Sequence, residues 1–285
     1  MIPRPSFTSF PAAPASRLSR CFATTADGRI PLTPDWPRLF ARLAHCDNVA
    51  RQTRHAQARL IRLGRLPAPG SAPLHWVDAH TELKLNHAVG SHAIARIALC
   101  PCCDSPGRIE VMNPHGSEFL QLCAPARMAP AVWAQIVASL TAGSPTQLPA
   151  SDERAPSQHL LNLVDPRRLT LSTAIDRLAP LLAAWGDADH MLAVTLETAA
   201  AVHTERFHPA QVQEDGRTLQ VCGDGATLQL ARATVHQLGC GRDSSGPFLR
   251  AIDVHGASLI TFRPGPNRAT DHDRWHAATA EIFRP

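Results

Sequence analysis

Two turns of one form, 140 residues apart at their glycines, constrain this chain more than any other feature. Asn113-Pro114-His115-Gly116 lies inside Arg108 to Leu122, between two runs that alternate apolar and polar residues. Asp253-Val254-His255-Gly256 lies inside Leu249 to Phe262 in the same way. Each reads as a hairpin with glycine where a positive φ costs least. The match continues outwards. A segment with one tryptophan follows each hairpin, around Trp133 and around Trp275. Upstream, Glu82-Leu83-Lys84-Leu85 answers Thr227-Leu228-Gln229-Leu230, and His92 answers His236. Self-similarity on this scale predicts two copies of one unit.

Within each copy a helix comes first, then several short alternating runs, then a closing helix. Asp35 is placed to cap the first helix, through Trp36, Leu39, Phe40 and Leu43. Its counterpart runs from Ser172 or Thr173 to Trp185, with Gly186 as its stop. Asp215-Gly216 and Asp224-Gly225 are hairpin turn signals. Consecutive strands with short connections predict antiparallel sheet, and helices grouped at its face or ends make the class α+β. The expected division is a Pro-rich, mostly irregular tail over 1–34 and a first repeat half over 35–142. A linker and connecting helix over 143–171 and a second half over 172–285 complete it.

Composition narrows the function. The chain has 285 residues, enough for a large core, with 44% hydrophobic and 18% charged residues. The net charge of +4 comes without a basic run, so nucleic acid is not the expected partner. Lys84 is the only lysine and tyrosine is absent. Eight cysteines lack the regular spacing of a secreted disulfide scaffold. No stretch has the roughly 20 apolar residues of a membrane span. A reducing cytoplasm is the expected compartment. No GxxxxGK[ST], HExxH or GxSxG occurs.

Three local motifs carry a resemblance. Ala200-Ala201-Val202-His203-Thr204-Glu205 is similar to a strand-ending Ala-Val-His-Glu run. Trp76 to Ile97, with its Glu-Leu-Lys-Leu core, resembles a long strand pair. Ser157-Gln158-His159-Leu160-Leu161 resembles a helix start that carries an axial haem ligand. Together with the repeat, these resemble the cytoplasmic haemin-utilisation family, the haemin transport proteins or haemin-degrading factors. The resemblance spans about residues 35 to 285. It implies two similar halves on large antiparallel sheets, and haem b as ligand. It also implies capture of imported haem and its transfer from an importer to an accepting enzyme. Some relatives are described as opening the haem ring with an external electron donor. The chain departs from the family at Lys84, where a distal arginine is usual, with Gln229 at the matching second-half position. The family's tyrosine and longer helical N-terminal section are also missing.

Haem needs an apolar slot, a cation for its propionates and an axial ligand. The resemblance gives His159 as the first candidate for iron and His203 as the second, with Lys84 and Arg232 at the propionates. The competing readings are an exposed linker histidine for His159 and a backbone-satisfied strand residue for His203. For Lys84 the competitor is a solvent-facing strand lysine. His115 and His255, matched between the copies, read as turn residues. Cys100, Cys102 and Cys103 read as free thiols in a loop, with a zinc site shared with Cys123 as the outside possibility. A second function class stays open: a diverged duplicate that has lost haem and serves as an interaction or regulatory module.

Overall fold

A computed structural model describes residues 29–32, 36–55, 58–70, 74–85, 92–96, 106–112, 118–140, 169–198, 201–265 and 269–283. The N-terminal series runs β1 (Arg29–Leu32), α1 (Trp36–Leu43), β2 (Val49–His55), β3 (Ala58–Gly64), β4 (Ala68–Pro69), β5 (His75–Val77), β6 (Thr81–Leu85), β7 (His92–Arg96), β8 (Arg108–Met112), β9 (Glu118–Cys123) and α2 (Pro130–Ala138). The C-terminal series runs β10 (Thr170–Ser172), a 3-10 turn (Ile175–Arg177), α3 (Leu178–Asp187), β11 (Leu192–Glu197), β12 (Ala201–Phe207), β13 (Gln211–Glu214), β14 (Thr218–Gly223), β15 (Ala226–Ala231), a second 3-10 turn (Arg232–Thr234), β16 (Gln237–Asp243), β17 (Gly246–Ile252), β18 (Ser258–Pro264) and α4 (Ala269–Ile282).

These strands form two nine-stranded sheets, antiparallel throughout, so the α+β class holds. Sheet I has the order β1-β7-β8-β9-β2-β3-β15-β14-β13. Sheet II has the order β10-β16-β17-β18-β11-β12-β6-β5-β4. Adding nine to each N-terminal strand number, and subtracting nine from each C-terminal one, turns the first order into the second. Register agrees as well: the hairpin of β8 and β9 slips at Val111/Met112, and that of β17 and β18 slips at Ala251/Ile252, the matching position. Each sheet thus takes six strands from one series and a three-strand meander from the other. β6 closes onto β12, and β15 onto β3.

Alternation explains which side faces in. Leu192, Val194 and Leu196 of β11 are buried in one core with Trp185 of α3, Trp275 of α4 and Leu228 of β15. Ile109 and Val111 of β8 share the other core with Phe40 of α1, Trp133 of α2 and Trp76 of β5. Phe40 and Trp76 stack at 3.9 Å, tying a helix to the exchanged meander. α2 begins with Pro130, whose fixed φ and missing N–H suit the first turn.

Three details add to the expectations. Within the mostly irregular tail expected over 1–34, Arg29–Leu32 forms β1, paired to β7 at the edge of sheet I where Pro31 is tolerated. β10 begins inside the stretch read as linker, because Thr170 to Ser172 find partners on β16. Gly186 does not stop α3. The left-handed turn falls on Asp189 at φ 56°, and Gly186 is needed because a Cβ there would sit 1.9 Å from the Pro209 carbonyl oxygen. Gly256 does take the positive φ expected of it, at +82°. The matching turn at Gly116 lies outside the described residues.

Candidate functional site

His203 sits at the seam between the sheets. β12 turns His203 and Glu205 inwards, β2 turns Arg51 and Thr53 inwards, and β6 adds Thr81. All five are buried. Arg51 Nε donates to Glu205 Oε1 at 3.1 Å, and its Nη1 donates to the Arg65 carbonyl at 2.8 Å. Its Nη2 reaches Thr81, whose hydroxyl donates to Glu205 Oε2 at 2.9 Å. His203 Nε2 lies 2.7 Å from Glu205 Oε1, and its Nδ1 lies 2.7 Å from the Thr53 hydroxyl. Arg62 of β3 stands 3.7 Å from Glu205 Oε2. Burial alone would raise the Glu205 pKa, but His203, Arg51 and Arg62 outweigh it and hold the carboxyl below its usual range. Both ring nitrogens of His203 are engaged in a closed core. The geometry places it across the seam, joining Thr53 of sheet I to Glu205 of sheet II.

Lys84 lies on the other side of sheet II. Thr81, Leu83 and Leu85 of β6 point in, so Glu82 and Lys84 point out. Lys84 Nζ is 2.7 Å from Glu82 Oε1, and Arg206 Nη2 is 3.3 Å from Glu82 Oε2. Burial opposes the effect, but Lys84 and Arg206 hold the Glu82 carboxyl low. Arg232 is elsewhere: it follows β15 in sheet I and pairs with Glu214. The two propionate candidates therefore belong to different sheets. His159 and Cys100, Cys102 and Cys103 lie outside the described residues. Cys123 is buried. Among the described residues no group of three His, Cys, Asp or Glu side chains could hold a metal ion.

The outer face of sheet II carries a continuous row of cross-strand neighbours. Arg250 of β17 faces Thr261 of β18, which faces Thr195 of β11. Thr195 faces Thr204 of β12, which faces Glu82 of β6. Lys84 stands one pair along, beside Val202. At the usual inter-strand spacing the row spans about 19 Å. Its floor is short side chains: Thr195 and Thr204 share a hydroxyl hydrogen bond at 2.9 Å, and Ala193 lies beside them, facing Arg206.

Arg250 is the cation that sequence reasoning missed. Its guanidinium lies 4.5 Å from the Phe248 ring centre, and its buried Nε has no hydrogen-bond partner among the described residues. Burial lowers its pKa from the ordinary arginine value and the like charge of Arg263 adds to that. Arg263 differs: both its Nη groups go to the Asp243 carboxylate. The carboxylates of Asp243 and Glu197 act on Arg250 in the opposite sense, towards a higher pKa. The signal was available in the repeat, since the position matching Arg250 is Glu110.

No protein-family model matches the sequence, and no curated protein matches it significantly. Solved structures do match. ChuS, described as an E. coli haem oxygenase, superposes with a TM-score of 0.72 at 14% identity, covering 94% of this chain and 92% of that one. Holo-PhuS, a haem-binding protein from Pseudomonas aeruginosa, superposes with a TM-score of 0.71 at 15% identity, covering 90% and 87%. The chain has the ChuS and PhuS fold. The large antiparallel sheets implied by the haemin-utilisation resemblance are thus the architecture found. No helix among the described residues is long and apolar enough to cross a membrane.

Proposed function

We propose that this chain is a diverged, internally duplicated member of the haemin-utilisation family and binds haem on the outer face of sheet II. The observation that carries the reading is Arg250: a buried, unpaired N–H of a cation at one end of a flat row of threonines. Such a group fits a propionate carboxylate, and the short threonine and alanine side chains would form the floor beneath a macrocycle lying along the sheet. The shared fold with ChuS and PhuS supports the same reading. Haem would supply the iron and its redox chemistry; the chain's residues bind and orient it.

Arg250 takes a propionate. Val202 and Ala193 would give apolar contact, and Lys84 would hold the far end of the row. Its amine already pairs with Glu82, so it serves there as a positioned, neutralised group rather than a propionate anchor. His159 remains the proposed iron ligand, from the resemblance. Arg232 and His203 have no part in the site. The chain would capture haem and hand it on to an accepting enzyme. A haemin titration of the purified chain tests this. A saturable Soret shift at micromolar haemin that weakens at least tenfold in Arg250→Met is expected. No saturable shift would favour the interaction-module reading instead.

A further inference from the structure

The matched register of the two sheets allows a position-by-position comparison of their outer faces. On sheet I, Glu110 of β8 faces Gln121 of β9, which faces Gln52 of β2. Gln52 faces Ile61 of β3, which faces Thr227 of β15. Counted from the matched hairpins, this row aligns one to one with Arg250, Thr261, Thr195, Thr204 and Glu82. The two rows differ in kind at every step. Where sheet II has an arginine whose Nε lacks a partner among the described residues, sheet I has a carboxylate: Glu110 is 3% exposed, with Arg108 Nε 2.6 Å from its Oε1. Where sheet II has Thr261, Thr195 and Thr204, sheet I has Gln121, Gln52 and Ile61. Gln121 is itself buried, and its amide donates to Cys123 Sγ at 3.2 Å.

We infer that Glu110, with Gln121 and Gln52, is the specificity-determining set that restricts this duplicated chain to one tetrapyrrole face. This rests on the proposed haem site. Two physical effects act together. A flat dianion placed on sheet I as on sheet II would set a carboxylate against the buried Glu110, and like charges out of water repel strongly. The longer glutamine side chains also stand where the threonines leave clearance. The Arg108–Glu110 ion pair gives the acid a partner without any ligand, whereas Nε of Arg250 on sheet II has none among the described residues.

Equilibrium dialysis of the full chain against iron-free protoporphyrin IX tests this, because that probe carries both carboxylates and needs no axial ligand. The parent chain should bind one equivalent. Arg250→Glu, which gives sheet II the charge of sheet I, should weaken that site at least tenfold. Glu110→Arg combined with Gln121→Thr and Gln52→Thr should add a second equivalent, with circular dichroism confirming the fold. A parent chain that binds two equivalents overturns the inference and leaves tetrapyrrole binding standing. So does Arg250→Glu binding as tightly as the parent, or a folded triple variant that still binds one. A chain that binds neither protoporphyrin nor haemin sinks the haem reading and this inference with it.

Discussion

Replacing Arg51 with methionine should cost this protein more than almost any other single polar substitution. The guanidinium and the Glu205 carboxylate are 1% and 0% exposed, and they join β2 of sheet I to β12 of sheet II. The substitution removes three contacts at once: to Glu205, to Thr81 and to the Arg65 carbonyl. Glu205 then keeps a charge in the core with only His203, Thr81 and a 3.7 Å approach of Arg62 to support it. Breaking one side of a buried ion pair typically costs about 3–5 kcal/mol, mostly because a charge is left uncompensated. Replacing both partners by apolar groups is far milder, so Arg51→Met with Glu205→Leu should recover much of the loss. Urea unfolding at pH 7, followed by both circular dichroism and tryptophan fluorescence, measures this, and coincident transitions would justify two-state treatment. A loss below about 1 kcal/mol in the single variant, the size of an exposed pair, would refute the view of the seam as a closed polar lock. So would strict additivity in the double variant.

Acid should weaken the same seam. The folded pKa of Glu205 lies below its unfolded value. Its contribution is therefore fully present above the unfolded carboxylate's pKa of about 4.3 and is lost as pH falls through the folded value. Unfolding free energy measured from pH 7 down to pH 3 should show this loss, and Glu205→Gln should flatten that part of the curve. Gly186→Ala should destabilise by about 1–3 kcal/mol, because its Cβ would collide with the Pro209 carbonyl; a melting temperature equal to the parent's would show that α3 can shift freely. Lys84→Ala should change stability by less than about 1 kcal/mol, since the Lys84 side chain is 53% exposed, and urea midpoints decide it.

Much of the fold was legible because it is local. Alternation in Leu192 to Glu197 and in Arg108 to Met112 marks strands, and the Asp253 to Gly256 turn fixes a hairpin wherever it sits. The spacing that set Lys84 against Gln229 in the sequence is matched by the sheet orders, where β6 and β15 hold corresponding places. The exchange of meanders was not, because pairing β6 with β12 joins residues more than a hundred positions apart and leaves no local trace. His203 shows the limit most clearly. A histidine after an apolar triplet reads the same whether it lines a pocket or faces Thr53, 150 residues away. Burial decided that, through a partner set the sequence does not announce. Arg250 was within reach, since its match to Glu110 reverses a charge at one register position. It was passed over because a single arginine among many carries no motif.

The central claim is that haem lies on the outer face of sheet II with a propionate on Arg250. Parallel Soret titrations of the parent chain and Arg250→Met, with haemin and with its dimethyl ester, test it most directly. The account predicts that the parent prefers haemin to the neutral ester, and that Arg250→Met binds haemin at least tenfold more weakly while binding the ester unchanged. Equal haemin affinity in the two proteins would contradict it.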